Sequence, residues 1–108
     1  GHQGRDFVHI DDVLDCTLLA MDKIHDGTAI NIGMGRLTSF REIISIFMDI
    51  AGYETDIKCL LDKPVGVHSR YCSMDYVENR LGWKAKISIE EGLRRVYNAV
   101  AEKEGKNV

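Results

Sequence analysis

Short apolar segments that favour strands alternate along this chain with longer segments that favour amphipathic helices. Strands are predicted at Phe7–Ile10, at Thr28–Gly33 and at Asp56–Leu61, because each is short, rich in apolar or β-branched residues and bounded by turn residues. Helical crossovers between strands place them side by side in parallel. The chain is therefore predicted to form a small α/β domain with a short, mainly parallel sheet covered by about four helices. A mostly helical domain with a minimal sheet is the alternative.

The helices are predicted from apolar spacing and from residues that cap helix ends. Apolar residues recur every three or four positions in the first helix. Ser39 and Ser88 each begin a Ser-x-x-Glu capping box, in which the serine hydroxyl accepts from an amide one turn later. The expected helices run from Asp11 or Asp12 to Ile24, from about Phe40 to Ala51, from a cap at Ser73 to Leu81, and from a cap at Ser88 to about Glu102.

The three cysteines, Cys16, Cys59 and Cys72, form no Cys-x-x-Cys pair and have no histidine at metal-ligand spacing. No metal site is predicted, and free thiols in a reducing compartment are expected. Cys16 lies on the apolar face of the first helix and Cys59 in a predicted strand, so both are expected in the core. Trp83 is expected to pack on the same core. The scattered histidines form no catalytic pair.

Length and charge exclude several classes of function. The chain has 108 residues and a net charge of -3 with both signs interspersed, which predicts one domain over 1–108 and no binding to nucleic acid or to anionic lipid. Residues 1–3 are expected to be a tag or linker, and 103–108 to be frayed. No apolar run is long enough to cross a bilayer and no secretory signal is evident, so a cytoplasmic setting is expected.

The stretch from Gly4 to Val13 carries the strongest indication of function. Arg5 lies just before a predicted strand, and its planar guanidinium suits a phosphate because it can donate two parallel hydrogen bonds to an oxyanion. Local chemistry alone favours a different role, a surface ion pair of Arg5 with Asp6 or Asp12.

Two loops are further candidates for ligand contact. Gly33-Met34-Gly35 follows a predicted strand but lacks the third glycine of a dinucleotide loop. We interpret it as a turn, although such a loop can present backbone amides to a phosphate. The irregular segment from Lys63 to Arg70 carries three potential cations, and long loops in small domains are more often functional than idle.

Three segments resemble, in order, motifs of the extended short-chain dehydrogenase/reductase family, the NAD-dependent nucleotide-sugar epimerases and dehydratases. These segments are Arg5 to Val13, then Ile30-Asn31-Ile32-Gly33, then Leu81-Gly82-Trp83-Lys84 running into Ser88-Ile89-Glu90-Glu91-Gly92-Leu93. Together they span almost the whole chain and are similar to the C-terminal, substrate-binding part of that family. The Gly66-Val67-x-x-Arg70 stretch is most similar to GDP-mannose 3,5-epimerases.

The resemblance implies a nucleoside-diphosphate-sugar site formed by Arg5, Asn31, and either Lys63 or Arg70. Arg5 would contact the diphosphate, Asn31 would lie near the nucleotide, and the loop cation would bind phosphate. The family usually has Arg where Lys63 stands and Asp where Ser73 stands. Lysine lacks the planar fork, so Arg70 is the alternative for that role.

The family's glycine-rich NAD loop and its Tyr-x-x-x-Lys catalytic pair have no counterpart in this sequence. The resemblance therefore implies a nucleotide-sugar-binding lobe with no catalytic residue, inactive alone, whose NAD and N-terminal Rossmann lobe belong to a parent protein. The alternative is a stand-alone, self-associating interaction module, because removing a lobe should leave an apolar face uncovered.

Overall fold

Helices are the main regular elements of the computed structural model, which describes residues 1–105. In chain order the elements are β1 (Gly4–Arg5), α1 (Ile10–Lys23), β2 (Thr38–Ser39), α2 (Phe40–Ala51), α3 (Asp75–Leu81) and α4 (Ile89–Lys103). The four helices confirm the expected number. No helix within these residues is long and apolar enough to cross a membrane. The fraying expected at 103–108 falls partly on residues 106–108, which lie outside the described residues.

The sheet is smaller than predicted, and its two strands are antiparallel instead of parallel. β1 and β2 are antiparallel, with Gly4 opposite Ser39 and Arg5 opposite Thr38. Among the described residues, the parallel component is a single bridge between Gly4 and Ser69. The small α/β class and its four helices are confirmed, and the predicted mainly parallel sheet is corrected to a minimal antiparallel pair.

None of the three predicted strands forms a ladder within residues 1–105. Ile10 already belongs to α1, and the segment 56–61 is mostly exposed. The segment 28–32 keeps a strand-like alternation, with Ile30 and Ile32 half-buried and Ala29 and Asn31 exposed. Apolar alternation reports which face of a segment is buried, but a strand also requires a neighbour with free backbone groups. That neighbour is missing from the described part of the chain.

Side-chain caps explain where three of the four helices begin. The Ser39 and Ser88 hydroxyls accept from the amides of Glu42 and Glu91, each at 3.1 Å, which confirms both predicted caps. The imidazole of His9 caps α1 by accepting from the Asp11 amide at 3.0 Å. The cap predicted at Ser73 is wrong, because α3 begins after Met74 with no side-chain cap.

The core lies between α1 and α3. It consists of Cys16, Val77, Leu81 and Trp83, all buried, and the Trp83 indole donates to Asp15 Oδ2 at 2.9 Å. The predicted burial of Cys16 and Trp83 is confirmed, and desolvation raises the pKa of the Cys16 thiol. Cys59 is exposed, which makes its predicted core position wrong. The reason is that the strand expected to bury it does not form.

A second packing unit is formed by α2 and α4, which lie against each other. Five apolar residues of α2 are only half-buried: Ile43, Ile44, Phe47, Met48 and Ala51. The buried carboxylate of Asp12 ties the two units together by accepting from the amides of Lys86 at 3.1 Å and Ile87 at 2.9 Å. This tether fixes the start of α4 beside the start of α1.

Candidate functional site

One carboxylate gathers three distant segments of the chain. Asp6 accepts hydrogen bonds from the amides of Met34 at 2.8 Å, Gly35 at 2.9 Å and Cys72 at 3.1 Å. A Cβ on Gly33 would approach Asp6 Oδ2 to 2.7 Å, so this contact requires glycine. Asp6 therefore holds the loop after residue 32 and the segment after residue 70 against β1.

Arg5 is anchored without an acidic partner among the described residues. Its Nη1 donates to the Gly4 carbonyl at 2.8 Å, and its guanidinium carbon lies 5.9 Å from the centre of the Phe40 ring. Asp6 and Asp12, the predicted ion-pair partners, both accept backbone amides instead. The surface ion pair favoured by local chemistry is therefore wrong. Packing on Phe40 restricts the guanidinium while leaving donors for a ligand.

Three of the four predicted site residues line one open cleft. Arg5, Asn31 and Arg70 line a space of about 380 Å³. Backbone bonds fix the loop beside β1, because the Gly4 amide donates to the His68 carbonyl at 2.8 Å and the Arg70 amide donates to the Gly4 carbonyl at 3.2 Å. Lys63 does not line the cleft and is exposed in the preceding loop.

The sequence interpretation missed the other residues of this cleft, which are Asp6, Tyr71, Cys72 and Ser73. Asp6 directly follows Arg5 in the motif, and that adjacency was the available signal, although it was interpreted as an ion pair. Burial, with a smaller effect of the nearby Asp6 carboxylate, raises the pKa of the Cys72 thiol. A thiol with a raised pKa is a poor nucleophile at neutral pH, so Cys72 contributes shape to the cleft.

The residues that line the cleft include two arginines and one asparagine, while the Asp6 charge is directed at backbone amides. Arginine pairs bidentately with phosphate oxygens, and a carboxamide both donates and accepts. Within residues 1–105, no group of three His, Cys, Asp or Glu side chains could hold a metal ion.

The loop Gly33-Met34-Gly35 does not fit a pyrophosphate. The amides of Met34 and Gly35, which a dinucleotide loop would offer to phosphate, both donate to Asp6. The interpretation of this loop as a turn is consistent with that geometry, and its suggested role as an amide donor to a phosphate is wrong for this conformation. This loop therefore provides no dinucleotide site.

Known proteins share both sequence and fold with this chain, although no family profile matches it. It is 35% identical over 95 residues to a UDP-glucose 4-epimerase of Cyamopsis tetragonoloba, covering 83% of this chain and 27% of that protein. It is 28% identical over 94 residues to GDP-L-fucose synthase 1 of Arabidopsis thaliana, covering 87% and 29%. The structure of UDP-glucose 4-epimerase from Thermotoga maritima with UDP-glucose superposes with a TM-score of 0.88 and 31% identity, covering 96% and 33%.

The chain is homologous to the C-terminal part of extended short-chain dehydrogenases/reductases. The resemblance seen in the three sequence motifs is confirmed. RMD from Pseudomonas aeruginosa, solved with NADPH, also shares the fold, with a TM-score of 0.86 and 26% identity over 94% of this chain. The chain spans about a third of the length of these extended short-chain dehydrogenases/reductases. The closer likeness to GDP-mannose 3,5-epimerases stays a prediction.

Proposed function

We propose that this chain is the nucleotide-sugar-binding lobe of an NAD-dependent epimerase or a related reductase. The observation that carries the proposal is the meeting of Arg5, Asn31 and Arg70 in one cleft. These residues come from three separate parts of the sequence, and the family resemblance implies a ligand contact for each of them. The relatives do not favour the alternative of a stand-alone module without catalytic activity.

In the proposed complex Arg5 and Arg70 bind the diphosphate and Asn31 contacts the nucleotide. Arg5 is the rigid partner, because the Gly4 carbonyl and the Phe40 ring hold its guanidinium. Arg70 has a fixed backbone and an exposed side chain, so it can adjust to the ligand. Asn31 is exposed at the cleft, where its carboxamide can meet either a donor or an acceptor.

The substrate class and the cofactor are inferred from the relatives. The Thermotoga maritima enzyme was solved with UDP-glucose, and a UDP-glucuronic acid 4-epimerase from Bacillus cereus was solved with UDP-glucuronic acid and NAD. NAD supplies hydride transfer where it binds. We assign that cofactor and the catalytic pair to the remainder of the parent enzyme and assign no catalytic residue to this chain. A cytoplasmic setting stays a prediction.

Calorimetry with UDP-glucose and with GDP-mannose tests the proposal. The chain is joined to the remainder of the Thermotoga maritima enzyme in place of the matched segment, and Arg70→Ala is compared with Lys63→Ala. Loss of one charged hydrogen-bonding partner of a phosphate costs about 1.5–3 kcal/mol, so Arg70→Ala should weaken binding about 10- to 150-fold. Lys63→Ala should change the affinity less than about twofold, because Lys63 does not line the cleft.

Two results would contradict the proposal. One is the absence of binding heat with both sugar nucleotides in a correctly folded protein. The other is an equal loss of affinity in the two variants, which would indicate that the loss reflects net charge instead of a contact in the cleft.

A further inference from the structure

Tyr71 places an exposed aromatic ring in the wall of the cleft. It follows Arg70 in the sequence, lines the same space and is 59% exposed. Among the described residues, the aromatic contacts all involve Phe40, and none involves Tyr71. An aromatic ring gains free energy when a flat apolar surface replaces the water on its face. The ring therefore offers the cleft a flat apolar surface beside its charged groups.

The backbone is fixed on both sides of this ring. The Arg70 amide donates to the Gly4 carbonyl at 3.2 Å, and the Cys72 amide donates to Asp6 Oδ2 at 3.1 Å. A tyrosine side chain has few rotatable bonds, so a ring on an anchored backbone loses little conformational entropy when a ligand packs on it. Tyr71 is thus held at the cleft by its two neighbours while its own side chain stays open to the solvent.

The charged groups divide the proposed ligand into parts. In the proposed complex Arg5 and Arg70 bind the diphosphate, and the sugar extends towards the catalytic pair assigned to the remainder of the parent enzyme. The part left for the other cleft residues is the nucleoside, whose base has two flat faces. Consecutive Cα atoms are about 3.8 Å apart. The Arg70 guanidinium and the Tyr71 ring start from neighbouring Cα atoms, so they can contact adjoining parts of one ligand.

The other cleft residues fit a base that stacks on Tyr71. Proteins bind an unstacked base by packing its face on an aromatic ring and by hydrogen bonds to its edge. The Asn31 carboxamide, which both donates and accepts, is available for such an edge. Cys72 and Ser73 are small and neutral, and the Asp6 charge is directed at backbone amides. Neither bulk nor charge from these neighbours opposes a flat, neutral base.

We propose that Tyr71 is the stacking platform for the nucleobase of the bound nucleotide sugar. This inference rests on the proposed function, because it places the base of the same ligand whose diphosphate Arg5 and Arg70 bind. Stacking tolerates every base, since each base has a π-face. Tyr71 therefore contributes affinity for the nucleoside part of the ligand, and selection between bases is left to hydrogen bonds at the base edge.

Calorimetry with fragments of the ligand tests the proposal on the chain joined to the remainder of the Thermotoga maritima enzyme. The fragments are pyrophosphate, ribose 5-phosphate, UDP and UDP-glucose, with GDP and GDP-mannose replacing the last two if GDP-mannose binds more tightly. Tyr71→Leu should weaken the nucleoside diphosphate and its sugar conjugate by the same factor, about 5-fold or more. It should leave pyrophosphate and ribose 5-phosphate within about twofold, because neither carries a base.

Two further variants separate the ring from other effects. Tyr71→Phe keeps the ring, so it should bind every fragment within about twofold of the unmodified protein. Tyr53→Leu is the matched control, because Tyr53 is 63% exposed in the groove between α2 and α4 and does not line the cleft. It should change the affinity for the nucleoside diphosphate less than about twofold.

Several results would overturn the inference and each points to a different reason. An unchanged affinity for the nucleoside diphosphate in Tyr71→Leu, together with a loss in Arg70→Ala, would leave the proposed function standing and remove the stacking role. An equal loss for ribose 5-phosphate or pyrophosphate would place the ring on the ribose or the phosphates, and a loss confined to the sugar conjugate would place it on the sugar. A loss in Tyr71→Phe as large as in Tyr71→Leu would make the hydroxyl the contact, and an equal loss in Tyr53→Leu would show that the effect is not local. The absence of binding heat with both sugar nucleotides would contradict the proposed function and this inference with it.

Discussion

At the scale of single residues, the stretch from Gly4 to Val13 divides its charges between structural contacts and the proposed ligand site. Asp6 and Asp12 accept hydrogen bonds from five backbone amides of remote segments, those of Met34, Gly35, Cys72, Lys86 and Ile87. Within residues 1–105, Arg5 makes a local carbonyl bond and a ring contact and no ion pair. Because Asp6 and Asp12 are directed at backbone amides, neither competes with the proposed ligand for the Arg5 guanidinium.

Asp6→Asn should destabilise the chain and weaken nucleotide binding together. The carboxamide has one acceptor oxygen instead of two and places an NH2 group against an amide donor, so we expect a loss of about 2 kcal/mol in the free energy of unfolding. Urea denaturation measures this loss. Asp11→Asn is the control. Asp11 is exposed, and its ion pair with Arg95, at 3.4 Å, lies on the surface, so its loss should cost less than about 0.5 kcal/mol. Equal stability of the two variants would contradict the role given to Asp6.

The carboxyl group of Asp26 should have a pKa well below that of an ordinary aspartate. Hydrogen bonds from the hydroxyl and amide of Thr28, and then the Arg80 guanidinium, lower the pKa of Asp26 from 3.8 to about 2. A lowered pKa in the folded state contributes stability above about pH 4, and this contribution is lost as the pH falls from 4 towards 2. Thr28→Val should raise the pKa of Asp26 more than Arg80→Gln does, since the Thr28 hydroxyl is the largest cause. A carboxyl-carbon NMR titration decides the order, and the reverse order would refute it.

At the scale of elements, features set by neighbouring residues could be predicted from the sequence, whereas features set by distant residues could not. A capping serine and its glutamate lie within one turn, so the starts of α2 and α4 could be predicted from a few residues. A strand needs a partner chosen by the whole fold. The segment 28–32 kept its predicted alternation of burial yet formed no ladder within the described residues, because alternation is encoded locally and pairing is not.

The capping serines give a direct comparison. Ser39→Ala and Ser88→Ala should each lower the free energy of unfolding by about 1 kcal/mol, because each removes the acceptor for an amide at a helix start. Ser73→Ala should change it by less than about 0.5 kcal/mol, because Ser73 is exposed and α3 has no side-chain cap. Urea denaturation of the three variants measures the difference. A loss with Ser73→Ala as large as the other two would show that Ser73 does cap α3.

At the scale of the whole molecule, the chain is flat. Its radius of gyration is 16.6 Å and its extents are 49 × 35 × 18 Å, whereas a compact domain of about 100 residues has a radius near 13 Å. The site depends on this long-range arrangement. The family resemblance predicts Arg5, Asn31 and Arg70 as ligand residues one by one, but their meeting in one cleft depends on the Asp6 contacts between distant segments. Lys63 shows what the sequence alone does not predict. Its charge made it a candidate for phosphate binding but gave no information about its place outside the cleft.

The flat shape has a consequence for unfolding, because the two helix pairs do not share one core. The buried cluster of Cys16, Val77, Leu81 and Trp83 belongs to the α1 and α3 side, whereas α2 packs on α4 with half-buried side chains. Polar contacts of Asp12 and Asp11 join the two sides.

We expect the α2 and α4 pair to unfold at lower urea concentration than the Trp83 side. Trp83 is the single tryptophan, so its fluorescence reports one side while far-UV circular dichroism reports all four helices. The dichroism midpoint should lie below the fluorescence midpoint, and coincident midpoints would show that the polar tether couples the whole chain into one cooperative unit.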